Sequence, residues 1–142
     1  MPDLLTTFSF HVELDGIDIG AFKEASGVDS ETEIIEYKEA MGSKMVIRKV
    51  PGAMKWSDIT LKKRIDAKTD LWDWRKKVEE GDIDAARVNG SIVLYDSAGQ
   101  EVARWNFEQG WPSKWKGADL NAGEDQVAVE EVTITHERLE RA

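Results

Sequence analysis

GSIVLYDSAGQEVARWNFE, residues 90–108, is two alternating runs on either side of Asp96-Ser97-Ala98-Gly99. Side chains that alternate with a period of two belong to strands with one buried face. The four residues between them carry turn chemistry, with Gly99 suited to a left-handed backbone position, so the stretch predicts a β-hairpin.

The same period recurs on both sides. Toward the N-terminus, Phe8, Phe10, Val12 and Leu14 alternate with Thr7, Ser9, His11 and Glu13. Asp15-Gly16 then supplies a turn, and Ile17 and Ile19 resume the alternation. TEIIEYKEA (32–40) and KMVIRKV (44–50), separated by Met41-Gly42-Ser43, predict a long hairpin from about Thr32 to Val50. Pro51-Gly52 is expected to end it, because proline cannot donate to a ladder. SDITLKKR (57–64) is a further strand, with Ile59 and Leu61 on one face.

One segment has the other period. Leu71, Trp74 and Val78 fall at helical spacing, behind Thr69 as N-cap and ahead of Gly81 as a stop. This predicts one helix from about Asp70 to Glu80. After the second hairpin, WPSKWKGADLNAGED (111–125) reads as a loop. In the last strand, Val127 and Val129 have one parity and Val132 and Ile134 the other, which predicts a β-bulge near Glu130-Glu131. No repeat or linker divides the chain, so residues 1–142 are expected to form a single mainly β domain.

The totals agree. A chain of 142 residues buries roughly two thirds of its unfolded surface and can hold its own core. A formal charge of −9 disfavours nonspecific binding to phosphate backbones. The absence of cysteine removes disulfides and thiol chemistry. MPDLLTTFSF lacks a basic segment followed by a long apolar one, so synthesis in the cytoplasm is expected. No run of about 20 apolar residues predicts a membrane span.

Reactive constellations are missing. His11 and His136 stand at opposite ends of the chain and offer no Ser-His-Asp pattern. Metal-ligand spacing is absent. Carboxylates make up 28 of 142 residues, so pairs such as Glu130-Glu131, or Asp29 with Glu31 and Glu33, arise by chance. Gly16, Gly20 and Gly27 do not form a phosphate-cradling motif. No catalytic residue, cofactor or metal site is expected. The tryptophans remain: three of six lie between Trp105 and Trp115. Trp105 alternates with Phe107 and reads as core. Trp111 and Trp115, flanking Pro112, fit either a platform that stacks sugar rings, as in a carbohydrate-binding module, or a packed corner.

Several phrases in fixed order decide more than any one of them. They are F-x-E-x-S-G-V (Phe22 to Val28), Val50-Pro51-Gly52, Leu-Trp-Asp-Trp (Leu71 to Trp74), the aromatic run from Trp105 to Trp115, and a strand ending Thr135-His136-Glu137. Together, over nearly the whole chain, the sequence resembles the tail tube protein family of contractile phages and contractile injection systems. Val50 replaces an expected leucine, and Lys63-Arg64-Ile65 stands where the family often has glycine.

The resemblance implies a β-barrel of two packed antiparallel sheets with one flanking α-helix, and no enzymatic activity. It implies homohexameric rings stacked into a tube that carries genome or effector cargo. The expected partners are a surrounding sheath, baseplate and tip proteins, and the cargo itself, without membrane insertion, in a virion or injection particle. Met41, Gly42, Ser43, Lys44, Met45, Val46, Ile47, Arg48 and Lys49 are then expected to touch a neighbouring subunit or ring. Trp105, Trp111, Pro112 and Trp115 become a rigid aromatic corner that locks the loop after the second hairpin. Thr7, Ser9, His11 and Glu13 become candidates for the lumen wall.

Overall fold

The computed structural model describes residues 9–65, 68–117 and 128–142. In chain order the elements are β1 (Ser9–Leu14), β2 (Ile17–Phe22), β3 (Glu24–Ser26), β4 (Glu31–Met41), β5 (Lys44–Lys55), β6 (Ile59–Arg64), α1 (Asp70–Glu79), α2 (Ile83–Ala86), β7 (Val88–Tyr95), β8 (Glu101–Lys116), β9 (Val129–Thr135) and β10 (Arg138–Arg141). Thr7, Phe8 and Val127 lie outside the described residues.

The hairpin of residues 90–108 forms as β7 and β8, with Ile92 opposite Trp105 and Ser91 opposite Asn106. Its turn is held by the Asp96 carboxylate, which accepts the backbone N–H groups of Ala98 and Gln100, both at 2.9 Å. This hairpin lies at the middle of an eight-stranded antiparallel sheet in the order β2-β1-β7-β8-β9-β6-β3, with β10 paired to β8. The first half of β8 lies between β7 and β10, and its second half pairs with β9. Between the halves Gln109 has φ 54, an uncommon conformation for a residue with a Cβ, and Asn89 Oδ1 accepts its N–H at 3.1 Å. The bend lets inward side chains of both halves pack as one cluster: Val12, Ile92 and Phe107 from one, Ile59, Leu61, Val132 and Ile134 from the other. The far ends of the sheet approach one another, and Lys23 N donates to Lys62 O at 2.8 Å. No ladder joins β2 to β6, so the described residues form no closed barrel.

The helix α1 seals the cluster with Leu71 and Trp74, whose indole N–H donates to Ala86 O at 2.6 Å. That acceptor belongs to α2, a second helical turn absent from the sequence reading. It is short, capped by Asp82, whose side chain accepts Ala85 N–H at 3.3 Å.

Three expectations are corrected. Pro51-Gly52 does not end the long hairpin: β5 continues to Lys55, with Pro51 opposite Ile34 and the register shifting between Thr32 and Ile34. A two-stranded ribbon has open outer edges, where proline is tolerated. Residues 111–116 are strand, not loop, because β9 pairs with them from Trp111 to Lys116; residues 118–125 of the expected loop lie outside the described residues. The bulge is absent at Glu130-Glu131, where β9 runs unbroken from Val129 opposite Arg64 to Ile134 opposite Ile59. Glu130 takes an inward position with Val132 and Ile134, and the register slip falls on β8 between Pro112 and Lys114. The inward carboxylate is met by Lys63, also buried, at 3.9 Å.

Candidate assembly surfaces

The strands β4 and β5 form a sheet of their own, paired from Met41 opposite Lys44 down to Glu31 opposite Lys55. An isolated two-stranded ribbon is marginally stable in water. This one packs almost nothing: every residue of β4 is exposed, as are nearly all of β5. Cross-strand pairs add little, because Arg48–Glu39 (2.9 Å) and Lys49–Glu36 (3.8 Å) are solvated.

Its composition is unlike that of a solvated ribbon. Of eleven large hydrophobics exposed among the described residues, all but Ile65, Trp72 and Val102 lie here, including Ile34 at 67%, Met45 at 64% and Ile47 at 57%. Alternation divides them between both faces: Ile35, Tyr37, Met41 and Val50 on one, Ile34, Met45 and Ile47 on the other. Apolar area on both sides of a thin projection makes the ribbon a candidate interaction surface.

The structure places Met41 through Lys49 together at the ribbon's outer end, around a turn in which Gly42 has φ 65. Ile34, Ile35, Tyr37 and Met54 belong to the same apolar surface but lie outside the segment that sequence alone singles out. The adjacent Ile34-Ile35 in an otherwise charged strand was the available sign, since two consecutive isoleucines put apolar surface on both faces.

The ribbon is anchored at its root. Ser57 N–H donates to Asp29 Oδ1 at 3.1 Å, and His136 Nε2 lies 3.0 Å from Ser57 O. Gly27, with φ 86, presses so closely on the main chain of Asp58 that a methyl group would overlap its carbonyl.

The aromatic run is built into the body. Trp105, Trp111 and Trp115 are half-buried against the core, and Pro112 is buried, its carbonyl accepting from Arg75 Nη1 at 2.9 Å. Trp115 meets Trp72 edge to face at 5.0 Å and donates its indole N–H to Glu130 Oε2 at 3.2 Å. These rings serve as packing for strand β8, and their geometry lends no support to a sugar platform.

The outer face of β1, β7 and β8 is polar. Arg104 reaches both Glu13 (3.0 Å) and Glu101 (2.8 Å), and Ser91 Oγ donates to Asn106 Oδ1 at 2.6 Å. Hydrogen bonds that Arg104 donates to Glu101 and then Glu13 raise its pKa above the usual value, so the guanidinium is a fixed charge. His11 stands on the same face, edge-on to Tyr95 at 5.0 Å. No group of three His, Cys, Asp or Glu side chains suited to a metal ion occurs among the described residues. No described helix is long and apolar enough to cross a membrane.

Residues 6–140 match the family described as T4-like virus tail tube protein gp19. No curated protein matches the sequence. Among solved structures, a chain of the sheath-tube complex of PVC, an extracellular contractile injection system in its extended state, is similar at 25% identity and TM-score 0.79, over 100% of this chain and 93% of that one. A chain of the anti-feeding prophage tube terminating cap is similar at 25% identity and TM-score 0.76, over 94% of this chain and 87% of that one. Hcp1 from Flavobacterium johnsoniae shares the fold at 12% identity and TM-score 0.56, with 94% of each chain covered. The matched family is one of tail tube proteins, which are structural and not enzymes. The chain belongs to the T4-like virus tail tube protein gp19 family.

Proposed function

We propose that this chain is the subunit of the inner tube of a contractile particle, folding as one unit and closing with identical copies into hexameric rings that stack around a conduit for effector or genome cargo. The observation that carries the reading is the β4–β5 ribbon, whose large apolar residues stay exposed among the described residues. A cyclic assembly of identical copies covers such surfaces without a second gene product. The residues Met41 to Lys49, at the ribbon's outer end, are the contacts we assign to a neighbouring subunit.

Similarity to chains of a sheath-tube complex, a tube cap and a six-fold symmetrised baseplate supports a sheath around the tube and a baseplate at its end. The approach of β2 to β6 supports a sheet that completes a barrel-like wall. The polar face carrying His11, Glu13, Arg104 and Asn106 suits a wetted lumen, along which macromolecules slide without sticking to apolar surface. Synthesis and ring assembly then precede incorporation into the particle, in the cytoplasm.

Sedimentation and electron microscopy of the purified chain, alone and with its sheath and baseplate proteins, test the reading. Rings or tubes with a central hole are expected. Compact monomers at every concentration, with those partners present, would overturn it.

A further inference from the structure

The ribbon leaves the body beside Ser57, just ahead of β6, which begins at Ile59. At the other end of β6, about 17 Å away at the rise of an extended chain, a cleft of about 550 Å³ opens between β2 and β6. Its walls include Ile19, Phe22, Lys23, Lys63, Arg64 and Ile65. Lys68 adds a fourth cation to this lining, and among the described residues no carboxylate lines it, in a chain whose net charge is −9. Lys63 faces Glu130, whereas Lys23 and Arg64 point outward and form no ion pair among the described residues. Ile65, 44% exposed, adds apolar surface at the rim. The cleft therefore fits an occupant that is both anionic and apolar, and larger than a free inorganic ion.

Strand β4 has that chemistry. It carries Glu31, Glu33, Glu36 and Glu39 against one lysine, and its Ile34 and Ile35 are 67% and 51% exposed. We infer that the β2–β6 cleft receives strand β4 of a second copy, with its carboxylates facing Lys23 and Arg64 and its isoleucines against Ile19 and Ile65. This inference rests on the tube-subunit reading and names the surface that accepts the ribbon. Because donor and acceptor lie at opposite ends of β6, the contact is heterologous, the kind that propagates from copy to copy. The pairs that Glu33 and Glu36 make within the ribbon, at 3.9 and 3.8 Å to Lys55 and Lys49, are solvated and exchange readily for intermolecular partners.

The chain has no cysteine, so an introduced pair reports one contact. Ile34→Cys and, separately, Ile35→Cys chains are mixed with a size-tagged Ile65→Cys chain, assembled and oxidised. Mixed disulfide dimers are expected with at least one of the two ribbon variants, in assembled fractions only. In parallel, Lys23→Glu with Arg64→Glu is expected to raise the concentration needed for assembly about tenfold, with an unchanged circular dichroism spectrum. If rings or tubes form but neither ribbon variant joins Ile65→Cys, or the charge reversal leaves assembly unchanged, the docking assignment fails while the tube reading stands. If the unmodified chain assembles under no condition, both fail.

Discussion

Lys63 and Glu130 face each other across β6 and β9, Nζ to Oε1 at 3.9 Å, with side chains only 5% and 9% exposed. Trp115 donates to the other carboxylate oxygen at 3.2 Å, and the Phe22 ring lies under the ammonium at 5.8 Å to its centroid. A charge buried this deeply is tolerated because its partner is buried with it. Lys63→Met alone should lower unfolding free energy by about 3–5 kcal/mol, because Glu130 is left uncompensated. Lys63→Met combined with Glu130→Leu should recover most of that loss. Urea unfolding at concentrations below assembly measures both; equal losses in the single and double variants would show that the pair is not coupled.

The same pair shows where reading the sequence stops. Parity along QVAVEEVTITHERLE predicts a bulge, because a glutamate in an inward slot looks like an error of register. The tertiary positions of Lys63 and Trp115, which local pattern does not reveal, make that slot acceptable. β1, β6 and the β7–β8 hairpin were legible because period two is a local property, as were Leu71, Trp74 and Val78 on α1. The run through Trp111 and Pro112 was not, since glycine and proline punctuate loops more often than strands. Here Pro112 sits opposite Ile134 beside the register slip, where a missing N–H is harmless. For the ribbon, alternation foretold the strands but not their exposure. Isoleucine reads the same whether its own chain or another covers it.

Gly27, next to last in the phrase F-x-E-x-S-G-V, takes a left-handed conformation against the carbonyl of Asp58. Gly27→Ala combines backbone strain of about 1–3 kcal/mol with a steric overlap that the main chain at Asp58 must relieve. Since Asp58 adjoins Ser57, the displacement passes to the ribbon's root. The expected result is a lower melting temperature, with faster amide exchange at Ser57 than in the unmodified chain. Exchange at Ser57 that stays as slow would separate the two features.

Trp115 joins α1 to the sheet through Trp72 and holds Glu130 through its indole N–H. Trp115→Phe keeps an aromatic ring but removes the donor, so one buried acceptor loses a partner at about 1–3 kcal/mol. Calorimetry should show the loss. Glycan titration of the unmodified chain should leave tryptophan fluorescence unchanged, because these rings already pack against protein; saturable quenching would restore the sugar-platform reading.

Met45 and Ile47 share one face of the ribbon and are 64% and 57% exposed. Surface substitutions that touch no core feature usually alter stability by no more than about 0.5 kcal/mol. Met45→Ser with Ile47→Ser should therefore leave unfolding of the unassembled chain nearly unchanged, while sedimentation shows the loss of rings or tubes. Serine keeps the extended backbone and removes only apolar contact area. The two readouts separate the roles: a residue used for folding moves the unfolding midpoint, and one used between copies moves the assembly equilibrium. A large fall in melting temperature with rings intact would reverse the assignment and make this face part of the protein's own packing.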